Sequence, residues 1–386
     1  MTKAQHEPLP GIQVPPPIRP RSKWRPRVLT IILSLLLLLA LAHFIAVHHV
    51  ASPSQASGQS CNSLIHNADY TQLVPVEPKT QRMAAVQFVN AVTGGQPSAL
   101  IQVEDLGSQQ KLDVYLYDCI RQQDKPTLNL IFKQQGLIKG TVDITQANSL
   151  SIGQIDTTLP ADSDTLLLPL QQSVFQEYAW QNGSLHQVAF PGLYPVTSRS
   201  EAEALQDEAN NNQVLPWSEP VATAEQMAQD LFQWSGNAIH ATLKDNNGSE
   251  AHVLLEKKNT HIEVAVTLDR LIQTDRKGLW WVTNAQSPGI SLDQTQFNTP
   301  LSSPLQIQGN VIPTHEKVIA TLFNHTLTSI PLQNGNNLQT DSSGHFAGTL
   351  TYTNLIPDQP GLLLITVYPK SSDEEGRLFL TNLFLD

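Results

Sequence analysis

A chain of 386 residues with 40% hydrophobic residues, 26 prolines, 20 glycines and only 15% charged residues is too long for one ordinary domain and too apolar to be disordered, and its turn-rich, charge-poor make-up argues for strands rather than a helical bundle. The formal charge of −11 is unevenly spread: residues 1–27 hold six basic residues against Glu7, so everything after them carries −16. That acidity argues against nucleic acid, or an anionic lipid surface, as partner of the main body.

Residues 1–27 form a Pro-rich, basic tail, with Pro8, Pro10, Pro15, Pro16, Pro17 and Pro20 favouring extended, unfolded chain. PPPIRPR has the form of a polyproline ligand, although a solvated tail is the simpler reading, and the tail is too short to fold as a catalytic domain. Residues 28–48 follow as an almost unbroken apolar run. About 20 such residues make a helix of about 30 Å, the thickness of a bilayer's hydrocarbon, and a secretory signal would have a shorter apolar stretch. Lys23, Arg25 and Arg27 precede the run and place the N-terminus in the cytoplasm. The expectation is a single-pass protein of the cell membrane, with the lipid bilayer contacting residues 28–48 and the C-terminal domains extracytoplasmic. Residues 49–59, rich in Ser and Gln, are a linker.

The next region, 60–198, reads as an α+β domain. Arg82–Val92 (RMAAVQFVNAV) has apolar residues at helical spacing and ends at Gly94-Gly95, which predicts a helix. The runs KLDVYLYDC, TLNLIFK, GTVDIT and TLLLPLQ predict strands, and Asn182-Gly183 between two extended runs predicts a hairpin. Cys61 and Cys119 both lie beyond the apolar segment. An oxidising exterior permits a disulfide between them, and two buried thiols remain the alternative, since sequence does not place their Cα atoms.

Residues 199–285 read as a smaller helix-plus-sheet unit. SRSEAEALQDEANN is helical, ATAEQMAQDLFQW has a Thr223 cap and an apolar face of Met227, Leu231 and Trp234, and HVLLEKK, HIEVAVTLDRLI and GLWWVTNA follow as strands. A helix followed by a meander in both units suggests a diverged repeat. This unit resembles the helix-plus-curved-sheet domains of the cystatin and nuclear-transport-factor type, a likeness of fold that implies no function. Trp280 and Trp281 are adjacent on a strand and must face opposite sides. The outward ring is a candidate for stacking on a sugar or a partner surface, and packing on both faces of a covered sheet is the alternative.

From 286 to 386 short alternating strands separated by turn residues predict an immunoglobulin-like β-sandwich. The order Ile290, Ser303-Pro304-Leu305, Gly309, Val318-Ile319-Ala320, Gly344-His345-Phe346, Gly361 and Gly376 resembles the immunoglobulin-like domain of bacterial spore germination proteins. The resemblance covers a quarter of the chain and departs at Ala320-Thr321-Leu322-Phe323, where the family has an aromatic-acid pair. It implies a non-catalytic module of envelope or spore-associated proteins.

Motifs of chemistry are few. His315-Glu316 lacks a second histidine at position 319, His48, His49, His240, His252 and His261 are scattered, and Asp162-Ser163-Asp164 and Asp373-Glu374-Glu375 read as solvated turns. No nucleophile elbow or phosphate loop is present in the sequence. The expected fold class is therefore α+β and all-β, multidomain, behind one membrane helix. The expected function is non-enzymatic, with no catalytic residue, metal or cofactor, and binds an envelope protein or polysaccharide. A ligand-binding sensor built on the α+β units is the alternative.

Overall fold

The computed structural model describes residues 60–122, 125–159, 172–260, 262–293, 300–312, 316–353, 356–369 and 376–385. The expected tail, membrane helix and linker lie outside them, as do His48, His49, His261, His315, Asp162-Ser163-Asp164, Asp373-Glu374-Glu375 and the run TLLLPLQ. Among the described residues no helix is long and apolar enough to cross a membrane.

The chain is mostly strand, in large antiparallel sheets. β1 (Gln81–Val89), β2 (Ser98–Asp105), β3 (Lys111–Gln122) and β4 (Lys125–Ile138) form a meander in that spatial order. Two short helices, Cys61–Asn67 and Tyr70–Leu73, cover one face, where Ile65, Tyr70 and Val74 pack on Ile101, Tyr115 and Tyr117. Cys61 and Cys119 form a disulfide there, with Cα atoms 5.4 Å apart. The other face packs on a second sheet of β5 (Thr141–Ile144), β6 (Leu150–Ile155), β7 (Ser173–Gln181) and β8 (Ser184–Val188), through Leu100, Val114 and Leu116 against Val142, Leu150 and Ile152. β3 is thus covered on both sides, which explains its near-continuous apolar text. Asn182 and Gly183, at φ 51° and 86°, make the two-residue turn between β7 and β8.

The predicted helix at 82–92 is instead strand β1. Ala84 is an extra residue between Met83, opposite Val103, and Ala85, opposite Gln102. This bulge moves the inward phase from odd positions to even ones, so that Met83 and Val86 face the same core. A period-two pattern with a phase slip imitates helical spacing. The suggested repeat of two helix-then-meander units loses its first helix with it.

The helices Arg199–Asn210 and Pro220–Asp230 then pack on β9 (Ile239–Asn246), β10 (Glu250–Lys257), β11 (Glu263–Asp269) and β12 (Trp281–Gln286). Met227, Leu231 and Trp234 are buried as their spacing predicts. Pro220 rather than Thr223 begins the helix, and the Thr223 hydroxyl donates to the Glu219 carbonyl.

The remaining strands are β13 (Ile290–Leu292), β14 (Pro300–Leu301), β15 (Leu305–Val311), β16 (Lys317–Phe323), β17 (Ser329–Ile330), β18 (Asn337–Thr340), β19 (His345–Leu350), β20 (Gln359–Tyr368) and β21 (Arg377–Leu385). They build two layers, ordered β13-β15-β19-β18 and β16-β20-β21, with β14 parallel to β21. Ile307, Phe346 and Leu350 of one layer meet Val318, Leu322, Leu363 and Ile365 of the other, as in a β-sandwich. Gly309 and Gly361 sit at close approaches: a Cβ on the first would stand 2.6 Å from the Phe346 ring, and one on the second 2.6 Å from the Phe323 carbonyl.

The sheet does not stop at residue 286. β12 pairs with β21 through Ala285↔Leu380 and Gln286↔Phe379, and Phe323, Leu362, Leu364, Leu378 and Leu380 belong to the same core as the two helices.

The Cys61–Cys119 bond closes a loop of 58 residues. Loop closure of that length stabilises by about 4 kcal/mol. Replacing both cysteines by serine is therefore expected to speed hydrogen exchange of the β2 and β3 amides by roughly a thousandfold. Unchanged protection would show that the staple adds nothing there.

Candidate functional site

Polar chemistry gathers in two places. The first is a buried junction between the second sheet, the start of the helix Arg199–Asn210 and the β16–β17 turn. Asp156, just past β6, accepts hydrogen bonds from the Thr158 amide (2.8 Å) and hydroxyl (2.5 Å). His325 Nε2 lies 2.9 Å from its other oxygen, and both side chains are at most 3% exposed. Burial alone would raise the Asp156 carboxyl, but the hydrogen bonds from His325 and Thr158 outweigh it and hold the group below the usual carboxylate range. The carboxylate is then the acceptor and His325 Nε2–H the donor. His325 Nδ1 is buried and makes no hydrogen bond. The pair therefore has the His–Asp half of a hydrolytic triad without a nucleophile on the free nitrogen.

Nearby, Glu177 Oε1 accepts from Arg199 Nε (2.8 Å) and from the Ser149 hydroxyl (2.5 Å), and the Ser151 and Ser200 hydroxyls lie 2.5 Å apart. Ser198 caps the helix in a Ser-x-x-Glu box: the Glu201 amide donates to its hydroxyl (3.3 Å), which donates to Glu201 Oε2 (2.6 Å). Burial pushes the Glu201 carboxyl up to about 8, against the Ser198 hydrogen bond. The box is visible in the sequence as Ser198-Arg199-Ser200-Glu201, whereas the depth to which it is buried is not.

The second place is a groove of about 880 Å³, counted to its open mouth, along the seam between the two C-terminal cores. Its floor is the outer face of β16, β20 and β21, with Leu364, Leu378 and Phe323, and one wall is the end of the helix Pro220–Asp230 with the residues after it. Asp230, Gln233, Thr321, Ser329, Thr366 and Tyr368 supply its polar groups. Asp230 is held by the Tyr194 hydroxyl on Oδ2 (2.5 Å) and the Gln226 amide on Oδ1 (2.9 Å).

Of the two readings of the tryptophans, the burial accords with packing on both faces and not with an outward stacking ring. Trp280 is 1% and Trp281 0% exposed, so neither ring contacts a partner. Each ring has its own cover: the Arg270 guanidinium lies 4.6 Å from the ring of Trp280, just before β12, and Phe190 meets Trp281 edge-on at 6.5 Å. His240 and His252 lie apart, beside Glu256 (3.8 Å) and Glu250 (3.1 Å) respectively. Among the described residues no three His, Cys, Asp or Glu side chains converge to hold a metal.

No protein-family model, no curated protein and no solved structure matches this chain.

His325→Ala would remove the donor from one oxygen of the buried Asp156 carboxylate and leave only Thr158 on the other, a loss of about 1.5–3 kcal/mol at neutral pH. Adding Asp156→Asn should restore part of it, as read from urea unfolding. In the wild type the low folded value of Asp156 makes its contribution full above the ordinary carboxylate range and lost as pH falls through that folded value. A loss below about 1 kcal/mol would contradict the assigned role.

Glu201 is the opposite case, since the folded chain keeps its proton up to about 8 while the unfolded chain loses it near 4.5. Stability should fall by about 1.4 kcal/mol per pH unit across that window. Glu201→Gln should therefore match the wild type near pH 4 and exceed it near pH 9, because Glu201 is 1% exposed and little screened by solvent. Parallel pH profiles for the two proteins would rule this out.

Proposed function

We propose that this chain is a single-pass, membrane-anchored protein whose C-terminal domains stand outside the membrane as a non-catalytic binding or structural module of a bacterial envelope. The observation that carries the reading is the Cys61–Cys119 disulfide, which begins the folded region a short linker beyond the apolar run 28–48. Disulfides persist in oxidising compartments, the side to which Lys23, Arg25 and Arg27 direct the chain.

The strand order supports the finer fold. Layers of β13-β15-β19-β18 and β16-β20-β21 correspond to the four-plus-three arrangement of a constant-type immunoglobulin domain. That topology agrees with the resemblance of residues 286–386 to the immunoglobulin-like domain of spore germination proteins, a family of non-catalytic modules. The acidic body, at −16, favours neutral or cationic partners.

A second reading, a ligand-binding sensor, is favoured by the groove, which lies on the seam with the sandwich rather than within the α+β units. Occupancy would then have to reach the cytoplasmic tail.

Proteinase K added to intact cells is expected to remove a tag fused after Asp386, and the protein from those cells should migrate differently with and without reductant. A protected tag and a reduced Cys61 would overturn the topology.

A further inference from the structure

The groove along the seam points to a ligand class, and from its lining we infer that it binds a neutral carbohydrate chain; this rests on the envelope-binding reading above. Its enclosed space of about 420 Å³, without the open mouth, is within the range of sites that hold small ligands. The leucines of its floor are almost completely buried, Leu364 at 5% and Leu378 at 1%. A ligand resting there meets a narrow apolar strip flanked by the hydroxyls of Thr321, Ser329 and Thr366, the Gln233 amide and the Asp230 carboxylate. Sugars present the complementary surface, with C–H faces for the strip and a dense fringe of hydroxyls for the rim.

The alternatives fit worse. No lysine or arginine lines the groove, so nothing there neutralises a phosphate or carboxylate. Lys317, one row further along, lies over the Tyr368 ring at 5.6 Å. A peptide adding as a strand needs an open backbone edge, yet β16 is paired to β17, β18 and β20, and β20 to β16 and β21. Both Asp230 oxygens already accept hydrogen bonds, and the deacetylated hexamer in the test below separates an amine from a sugar hydroxyl at that carboxylate. Each oxygen keeps a further lone pair that a sugar hydroxyl can use.

The test uses the full chain in nanodiscs, titrated by calorimetry with hexamers of cellulose, maltose-type glucan and chitin, with an oligogalacturonate as anionic control and a deacetylated chitin hexamer as cationic control. At least one neutral hexamer is expected to bind, and the Gln233→Ala, Ser329→Ala double variant to weaken it about tenfold, the loss of about 1.4 kcal/mol of hydrogen bonding. Both positions are exposed, but Gln233 Nε2 also donates to the Asp230 carbonyl (2.6 Å), so the thermal midpoint should fall by no more than about 2–4 °C and binding is compared where both proteins are folded. Three results would overturn the proposal: no neutral hexamer binds, binding survives the double variant unchanged, or only the deacetylated hexamer binds, which would make Asp230 an amine site. The topology experiment separates the two readings: a protected C-terminal tag removes the envelope reading whatever the titration gives, whereas an exposed tag with no binding removes the glycan alone.

Discussion

The middle of β20 is apolar on both faces, Leu362 and Leu364 outward and Leu363 and Ile365 inward, and the rest of the C-terminal architecture follows from that. Leu363, Ile365 and Val367 fill the sandwich, while Leu362 and Leu364, with Leu378 and Leu380 of β21, join the core of the helices and of β9–β12. Burying a leucine contributes about 1.5–3 kcal/mol. Those four outward residues therefore contribute roughly 6–12 kcal/mol across the seam, as much as the whole net stability of a typical domain. A sandwich parted from its neighbour would expose all of them. The last two units accordingly share one continuous sheet, and Ser287 reinforces the join by accepting from the Leu378 amide (3.1 Å) while its own hydroxyl donates to the Glu263 carbonyl (2.6 Å).

The second sheet is attached differently. Its links to the sandwich and to the helix Arg199–Asn210 are mostly polar: Asp156 with His325, Glu177 with Arg199, Ser151 with Ser200, and the Gln176 and Gln187 amides donating to the Pro357 and Asp358 carbonyls. Buried ion pairs add little net stability once desolvation is counted, but breaking one is costly. Such a junction fixes how the sheet sits. An apolar contact of equal area would tolerate sliding, whereas a buried carboxylate has to meet its histidine.

How much of this was legible in the sequence depended on the range of the interactions. LQIQGNV alternates buried and exposed without fault, the Asn182-Gly183 pair marks its turn, and the Ser-x-x-Glu box marks the start of a helix. These are local signals. β1 misled because one bulged residue broke its period, and the helix Cys61–Asn67 is too short to show any periodicity. The tryptophans left two readings because adjacency fixes opposite directions but not what covers each side. Asp156 and His325 are 169 positions apart, and no pattern in either neighbourhood refers to the other. The groove depends on the same kind of remote pairing, because Asp230 and Thr366 come from different cores and meet only once β12 has joined β21. The two cysteines stand between these cases: the sequence supplies the pair, and only the packing of the Cys61–Asn67 helix on β3 brings them within bonding distance.

The seam also bears on which of the two functional readings the architecture accommodates. A sensor needs two arrangements of comparable energy, so that a ligand binding one of them better can shift the balance, and such shifts cost only a few kcal/mol. Parting the two cores along the seam would expose Leu362, Leu364, Leu378 and Leu380 at roughly 6–12 kcal/mol, more than the few kcal/mol by which a ligand shifts such a balance. A seam that is costly to part gives little differential contact to drive a switch, whereas holding a polymer segment in the groove requires no such change. The physical character of the site therefore favours holding over signalling, and a tethered, extracytoplasmic position is where a protein would meet such a polymer.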